Sequence, residues 1–486
     1  MDGMRNVMDP NEFLREFRKA CATPVTLLRQ TAQAMATEMQ EGLENPGQRR
    51  LKMLPTYLEC LPSGNEKGLY YAVDLGGTNF RVLRVQLGGK DGRILKQESE
   101  QVPIPHEVMT GTSKALFDFL AETVIHFISK EATLGFECLN LNQQRDIGFT
   151  FSFPVNQTKV NQGAIVAWTK GFNITDSVGE DVVEQLQSAL AEMGSEHAKV
   201  ACLVNDTVGT LAQCKYWNQD AMVGVILGTG TNACYVERAD AVPCWSPSTK
   251  SDMTVINVEW GNFFSKNLPW TFADEGLDKD SLNPGRQEFE KMIGGMYMGE
   301  IVRRVLLKMA EETGLFGPEV PEKLTESFSL LTPHMSTMHG DDSPGLQVVG
   351  AIIAEAIGVK DTTLATRKVV YEVCDIIAER GARLSAAGIV GILKKINRCG
   401  DLMNSCLTGQ SNTQAKKTVV AIDGSLYEKY TKFRNYMEDA MKEMLGDDYA
   451  DNVTTMLSKD GSGVGAALLA AAMSTDQGLG VVGLTK

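Results

Sequence analysis

Alternating apolar and polar residues predict β-strands early in the chain. An apolar run at 70–73 leads through Asp74 into the glycine-rich turn Leu75–Asn79. Beyond this turn, positions 83, 85 and 87 are apolar and alternate with Arg84 and Gln86, which is the two-residue period of a half-buried strand. Another glycine-rich turn at 88–92 precedes a third strand that begins near position 93. The pattern predicts a β-meander whose first turn is rich in glycine.

The same strand–turn–strand unit returns later in the chain. The apolar run 222–227 leads into Gly228–Asn232, and further strands are predicted at 233–236 and 254–258. Gly77 and Gly230 hold equivalent places in the two turns and are 153 positions apart. A duplicated unit predicts two related α/β domains that face a shared cleft.

Helices are predicted before and between the strands. Asp9-Pro10 and Thr23-Pro24 each read as an N-cap followed by proline at the first helical position, and the second helix should end near Glu44. Longer helical stretches are predicted at 112–130, 177–193, 287–313 and 363–395. The last 13 residues, from Ser474, are small and polar, which predicts a loose tail.

Composition narrows the class of protein. The 486 residues include 47 Lys and Arg against 61 Asp and Glu, a formal charge of -14, which disfavours binding to nucleic acid or anionic lipid. Ten cysteines without a CxxC pair and five histidines without HExxH predict neither a disulfide framework nor a zinc site. With no secretory signal and no run of 18 apolar residues, we expect a soluble intracellular chain.

Glycine-rich turns are candidate phosphate sites, because backbone N–H groups approach a ligand closely where no Cβ intervenes. The turn 228–233 fits GxGxxG/A, yet a strand follows it, whereas a dinucleotide site requires a helix there. No GxxxxGK[ST] motif is present. Either turn alone could be a plain hairpin, but two copies, each with a hydroxyl beside the glycine, favour phosphate binding.

Two further features each admit two interpretations. Gly461–Gly465 precedes a strong helix former, where free N–H groups and the helix dipole suit a nucleotide, but small residues there could equally serve tight packing. Asn205-Asp206 ends the buried strand predicted at 199–204. Asp206 could be only an N-cap, or it could be a catalytic group at the carboxyl end of a sheet.

Nine motifs follow one another in order along the chain: Asp74–Arg81, Phe151–Pro154, Trp168–Phe172, Val204–Thr207, Gly228–Asn232, Asn257–Gly261, Asn283–Glu290, Ile422–Ser425 and Gly461–Gly463. In this order they resemble the hexokinase family of the actin-like (ribonuclease-H-like) fold, and the resemblance extends from about 54 to 472. The sequences of Glu300–Arg304 and Arg380–Leu384 are most similar to those of plant-type members.

The resemblance implies an α/β protein of two duplicated domains, each a mixed β-sheet flanked by helices, around a central cleft. It implies an N-terminal helical segment 1–48, a small subdomain 49–206, a large subdomain 207–460 and the tail 474–486. A helix near 461–473 should pack back on the small subdomain.

The implied activity is ATP-dependent phosphorylation of glucose, mannose and fructose at the 6-hydroxyl, the first step of glycolysis. Asp206 would accept the hydroxyl proton, with Lys170 as a second catalytic residue. The implied sugar contacts are Ser152, Thr169, Lys170, Asn205, Asp206, Asn232, Glu259 and Glu290. The implied ATP contacts are Gly77, Thr78, Asn79, Thr229, Gly230, Gly424, Ser425, Ser462, Gly463 and Gly465. Asp74 would hold Mg²⁺ through water.

Two departures from the family pattern bear on kinetics rather than on the reaction: the wording Thr271–Asp274, and Met296 where some relatives have lysine. One set of motifs implies a single catalytic unit. Separately, we expect a monomer in the cytoplasm that can associate peripherally with mitochondria. The rival functions are a glucose sensor, an actin-like chaperone or filament ATPase, and an NAD oxidoreductase. Asp206 and both Gly-Thr turns are intact, which favours catalysis, and a sensing role could accompany it.

Overall fold

The computed structural model describes residues 8–77, 79–90, 94–131, 143–168, 171–243, 252–399 and 416–478, with side chains as far as 474. In these ranges the strands are β1 (Leu54–Pro55), β2 (Lys67–Leu75), β3 (Asn79–Gly88), β4 (Ile94–Pro103), β5 (Arg145–Phe151), β6 (Val155–Lys159), β7 (Gln162–Ile165), β8 (Ala198–Val204), β9 (Ala221–Leu227), β10 (Thr231–Arg238), β11 (Met253–Asn257), β12 (Thr418–Asp423) and β13 (Val453–Leu457).

The α-helices in the same ranges surround these strands. They are α1 (Pro10–Ala20), α2 (Val25–Glu44), α3 (His106–Met109), α4 (Ser113–Ser129), α5 (Val182–Glu192), α6 (Asp206–Trp217), α7 (Phe272–Asp280), α8 (Glu288–Ile293), α9 (Met298–Thr313), α10 (Glu322–Thr325), α11 (Thr332–His339), α12 (Gln347–Ile352), α13 (Leu364–Lys395), α14 (Ser425–Lys429), α15 (Thr431–Leu445), α16 (Asp447–Ala450) and α17 (Gly461–Gly478).

The two main sheets share one topology. The first has the order β4-β3-β2-β5-β8 and the second β11-β10-β9-β12-β13, with β1 added beside β11. In both, the first three strands are antiparallel and the next two join in parallel. The fold is therefore α/β with two related domains, as the repeated glycine turns predicted. We call the lobe built on the first sheet the small lobe and the other the large lobe.

Each lobe has its own apolar core. Phe149, Leu120 and their neighbours fill the small lobe. In the large lobe, helix α13 lies at the centre, and α1 and α2 add Phe13 and Met35 to the same core. A third cluster lies between the sheets. It includes Ala72 of the first sheet and Cys234 of the second, which pairs with Gly224. The subdomain boundaries given above stay a prediction.

Helices α6 and α17 connect the lobes, because each follows a strand of one lobe and packs on the sheet of the other. Helix α6 follows the small-lobe strand β8 but packs mainly on β9 of the large lobe, and α17 follows β13 but packs on β2 and β5. Their backbones touch through glycines, because a Cβ at Gly465 would lie 1.8 Å from the carbonyl oxygen of Gly209. A Cβ at Gly148 would likewise lie 2.1 Å from the carbonyl oxygen of Ala466.

Replacing Gly465 by alanine should destabilise the protein, because the new methyl group meets backbone that cannot rotate away. We expect Gly465→Ala to lower the free energy of unfolding by about 3 kcal/mol, the upper end for overpacking. Gly381→Ala is the matched control, since that methyl group would meet the flexible thioether of Met298 at 3.1 Å. Urea unfolding of both variants makes the comparison. Equal stabilities would mean that α6 and α17 are not in backbone contact.

Most predicted elements are present, but the first residue of some helices differs from the prediction because capping residues set where the helix begins. Asp9 caps α1 by accepting from Asn11 N at 2.8 Å, as predicted, but α2 begins at Val25 with Pro24 itself at the N-cap position. The helix predicted from 177 begins only at Val182, because Gly179 has a left-handed φ of 92° and Asp181 supplies the cap. The helices predicted at 112–130 and 363–395 are confirmed as α4 and α13.

Two predictions at helix ends were wrong. The helix predicted at 287–313 is two helices, α8 and α9, because Gly294 and Gly295 interrupt it and Gly295 N donates to Gly228 O at 2.8 Å. The loose tail predicted from Ser474 is helical as far as Gly478, where α17 continues. Residues 479–486 lie outside the described ranges.

The segment Thr271–Asp274, which departs from the family pattern, is part of the packing of the large lobe. Asp274 forms a buried ion pair with Arg380, with an Nη1–Oδ2 distance of 2.7 Å. The ring of Phe272 lies 6.4 Å from that of Phe13 and 6.0 Å from that of Phe17. The aromatic residue at 272 therefore contributes to the attachment of α1.

Candidate active site

Asp206 is the first residue of α6, directly after the buried strand β8. The N-cap position belongs to Asn205, whose Oδ1 accepts from Thr207 N at 3.0 Å and from Thr207 Oγ1 at 2.7 Å. Oδ1 of Asp206 also accepts from Thr207 N, at 2.8 Å, and the side chain is partly exposed. Because Asn205 caps the helix, capping alone does not explain an aspartate at 206.

Three polar side chains form a hydrogen-bonded group on the large lobe. Nδ2 of Asn232 donates to Asn257 Oδ1 at 2.9 Å and to Glu259 Oε1 at 3.1 Å, and Asn257 Nδ2 donates to the same Glu259 oxygen at 2.9 Å. Burial raises the pKa of Glu259, while the hydrogen bonds from Asn257 and Asn232 and the charge of Lys52 act in the opposite direction. Glu259 holds a left-handed φ of 56° where β11 has ended.

Glu290 joins this group to the second glycine-rich turn. Its Oε2 accepts from Thr231 N at 2.9 Å and lies 2.8 Å from where a Cβ on Gly230 would be. Thr231 is itself fixed, because Trp260 Nε1 donates to its Oγ1 at 2.9 Å. The predicted sugar residue Glu290 and the predicted phosphate residue Gly230 are therefore immediate neighbours.

The turn Gly228–Gly230 is fixed from several sides. Gly228 N donates to Gly230 O at 3.0 Å, and Met296 N donates to Thr229 O at 2.9 Å. Gly424 has a φ of 115°, and a Cβ there would lie 2.2 Å from Leu227 O, so only glycine fits beside the turn. Ser425 follows as the first residue of α14, and Thr229 is exposed.

Asp74 near the end of β2 contacts the neighbouring strand β3 and the start of α17. Its Oδ2 accepts from Ser462 Oγ at 3.1 Å and from Arg81 Nη2 at 3.2 Å. Arg81 Nη1 also pairs with Asp460 Oδ1 at 2.5 Å, and a Cβ on Gly463 would lie 2.6 Å from Arg81 Nη2. Burial raises the pKa of Asp74, and the charge of Arg81 and the Ser462 hydrogen bond oppose that shift.

Ser152 lies beside the first glycine-rich turn. Its N donates to Leu75 O at 3.1 Å, and its Oγ lies 3.5 Å from where a Cβ on Gly76 would be. Within the same turn, a Cβ on Gly77 would meet no atom within 4 Å among the described residues beyond its chain neighbours, and Asn79 begins β3. The predicted residues Thr78, Thr169 and Lys170 lie outside the described residues.

The structure changes the account of one predicted residue and adds two. Gly465 lies buried against Gly209, so it belongs to the contact of α6 with α17, and we remove it from the candidate nucleotide site. Asn257 and Arg81 each lie in a motif of the family resemblance, but neither was predicted as a site residue. A single asparagine in the otherwise apolar end of β11 was the available signal for Asn257, and nothing in the sequence connects Arg81 with Asp460 or Ser462.

These features define the class: two lobes of duplicated topology each carry a glycine-rich turn, and the second turn lies beside a carboxylate and amide cluster, as in phosphotransferases of the actin-like fold. Two family models described as hexokinase match residues 13–216 and 222–472. The chain belongs to the hexokinase family. It is accordingly a kinase that uses ATP to transfer phosphate to a sugar hydroxyl.

Similar proteins cover nearly the whole chain. It is 54% identical to Hexokinase-2 of Oryza sativa subsp. japonica over 464 residues, which are 95% of this chain and 91% of that protein. It is 53% identical to Hexokinase-1 of Spinacia oleracea, over 95% of this chain and 90% of that protein. A solved hexokinase from Schistosoma mansoni, complexed with glucose, is 33% identical with a TM-score of 0.77 and covers 96% of this chain and 100% of its own.

The similarity to plant-type members that the sequence indicated is thus confirmed. Among the helices that the structure describes, none is long and apolar enough to cross a membrane.

Proposed function

We propose that the chain phosphorylates D-glucose, mannose and fructose at the 6-hydroxyl, giving hexose 6-phosphate and ADP. The observation that carries this proposal is the hydrogen bond to Glu290 from Thr231 N, in the glycine-rich turn Gly228–Asn232, beside the Asn232–Asn257–Glu259 group. A hexose presents alternating donors and acceptors, which carboxylates and amides can meet, and the neighbouring turn can hold a phosphate.

The sugar would lie between the lobes. Asn232, Glu259 and Glu290 supply acceptors and a donor from the large lobe, and Ser152, Asn205, Asp206, Thr169 and Lys170 complete the set. The Oδ1 of Asn205 is engaged by Thr207, while its Nδ2 donates to none of the described residues and is therefore suited to a sugar oxygen.

Asp206 would act as the general base. It accepts the proton of the 6-hydroxyl as that oxygen bonds to the γ-phosphorus of ATP, and the bond from the γ-phosphorus to the bridging oxygen of ADP breaks. Lys170 would act beside it, as a cation that stabilises the charge of the transferring phosphoryl group. Positioning matters more than basicity here, and Asp206 is fixed by its place at the start of α6.

Both glycine-rich turns would bind ATP. Gly77, Thr78, Asn79, Thr229 and Gly230 would contact phosphate oxygens, and Gly424, Ser425, Ser462 and Gly463 would lie toward the adenosine. Mg²⁺ fits beside Asp74, since Oδ2 is held by Arg81 and Ser462 while Oδ1 accepts no hydrogen bond from any residue that the structure describes. The described residues offer no cluster of three or more metal-binding side chains. We therefore expect the ion to arrive with the phosphates, whose charge it neutralises when bound.

The assignment of the turns to ATP and of the carboxylates to sugar can be tested by steady-state kinetics. Thr229→Val should raise KM for ATP and leave KM for glucose nearly unchanged. Glu290→Ala should raise KM for glucose roughly 10–100-fold, the cost of losing a hydrogen bond to a charged group, with KM for ATP little altered. Each variant is the other's control. The same pattern of change in both would contradict the assignment.

For location and assembly we propose a monomer in the cytoplasm with peripheral association with mitochondria. A single set of motifs supports one catalytic unit per chain. Sedimentation of the purified chain and cell fractionation would test the two parts separately.

A further inference from the structure

The segment that joins α2 to β1 runs beside the end of β11, next to the Asn232–Asn257–Glu259 group. Leu54 pairs with Asn257 at the end of β11, and Met53 N donates to Val258 O at 3.4 Å. On its other side the segment packs on α2, where a Cβ on Gly42 would lie 2.6 Å from Met53 Cγ. The segment is thus fixed between an N-terminal helix and the strand that leads to Glu259.

Arg50 in this segment reaches the helix that carries Glu290. Its Nη1 lies 2.7 Å from Oε1 of Glu288, in the first turn of α8, and its guanidinium lies 5.2 Å from the centre of the Phe264 ring. Glu288 is only 6% exposed, and its Oε2 has no hydrogen-bond partner among the residues that the structure describes. Because a buried carboxylate is costly unless it is paired, Arg50 is the group that makes a charged Glu288 tolerable.

Movement of α8 would be transmitted to the sugar site. The helix has six residues, and the glycine at 261 lies so close to it that a Cβ there would be 2.2 Å from Gln287 Oε1 and 3.2 Å from Glu290 Cβ. Glu290 in turn holds Thr231 N at 2.9 Å. The buried side chains of Phe289, Met292 and Ile293 hold α8 in the core, and the ion pair of Arg50 with Glu288 fixes its first turn, which also carries Glu290.

We propose that Arg50 is a positioning residue for the sugar site and acts through Glu288 on helix α8. Arg50 does not touch the sugar; it fixes the position of a residue that does. The inference rests on the proposed function, since it assumes that Glu290 contacts the hexose.

The test compares Arg50→Met with Arg49→Met in the full-length chain. The two arginine side chains are equally exposed, 47% each, but Arg49 pairs at 3.2 Å with Glu41, whose side chain is 39% exposed against 7% for Glu288. Arg50→Met should raise KM for glucose roughly tenfold, the lower end of what loss of a supporting partner costs, with kcat and KM for ATP within about twofold of wild type. Arg49→Met should change none of the three.

Two further variants separate positioning from general destabilisation. Arg50→Lys keeps the cation but not the planar fork, so glucose KM should recover most of the way to wild type. Glu288→Gln removes the charge through which Arg50 acts. In that background, adding Arg50→Met should therefore change KM for glucose very little. The Arg50→Lys and Glu288→Gln results decide the matter if Arg50→Met fails to fold.

The inference is overturned if Arg50→Met matches Arg49→Met in glucose KM, or if its effect persists in full in the Glu288→Gln background. An equal loss in glucose KM, ATP KM and kcat would also overturn it. Failure of the proposed function has a different signature, since the wild-type chain would then neither bind glucose by calorimetry nor release ADP with it.

Discussion

Asp206→Asn should lower kcat by roughly 10²–10⁴, the usual loss when a positioned general base is removed. The amide keeps the size of the side chain and an oxygen for Thr207 N, which lies 2.8 Å from Oδ1 in the wild type, so the start of α6 should be unchanged. Calorimetry should still detect glucose binding, somewhat weakened. The loss would then lie in the chemical step rather than in folding or in substrate binding.

Asp220→Asn is a suitable control, because Asp220 is exposed and follows the far end of the same helix. It should leave kcat and the thermal midpoint unchanged. Asp206→Ala should lose as much activity as Asp206→Asn. Turnover near the wild-type level in either Asp206 variant would remove this residue from the mechanism.

Glucose should draw the lobes together, whereas ATP alone should do so much less. Water could attack ATP in place of the 6-hydroxyl, so we expect the site to be complete only after the sugar has bound. The proposed sugar contacts are divided between the lobes, and the closed state gains contacts that the open state lacks. With α6 and α17 as the connection, the motion should be a rotation of two rigid bodies.

Small-angle scattering and tryptophan fluorescence can both follow this closure. The Trp168 ring lies 5.0 Å from that of Phe153 in the small lobe, and Trp260 is fully buried against Thr231 in the large lobe. Glucose should reduce the radius of gyration and change the fluorescence. Hydrolysis of ATP without sugar should be slower than phosphoryl transfer by several orders of magnitude.

A pentose without the 6-hydroxymethyl group provides the control for closure. It should close the lobes while leaving room for a water molecule where the hydroxyl would lie, and so stimulate ATP hydrolysis above the sugar-free rate. If glucose leaves the shape unchanged and sugar-free hydrolysis runs nearly as fast as transfer, closure does not explain the exclusion of water.

The sequence was informative where a feature is local. The two glycine turns, the strands around them and the position of Asp206 could all be located, because each depends on a few consecutive residues. The break between α8 and α9 could not, since Gly295 leaves the helix to bond with Gly228, which is distant in the chain. For the same reason the role of Gly465 stayed open until its neighbour Gly209 was known.

Site residues divide in the same way. Glu259 and Glu290 were found through family motifs, which consist of residues close together in the sequence. Arg81 bonds to Ser462 and Arg50 to Glu288, at sequence separations of 381 and 238 residues, and no periodicity or motif links such pairs. Supporting contacts of this kind become visible only when the folded structure brings distant parts of the chain together.

The exchange of α6 and α17 means that neither half of the duplication is complete by itself. A fragment that ended at Trp217 would carry β2 and β3 without the helix that covers Ala72 and Val85. A fragment that began at Ala221 would carry α17 with no sheet beneath it. Each fragment would present an apolar face that the other can cover, so the separated halves should be insoluble alone and complementary when mixed. In this respect the two lobes form one folding unit, although they repeat one topology.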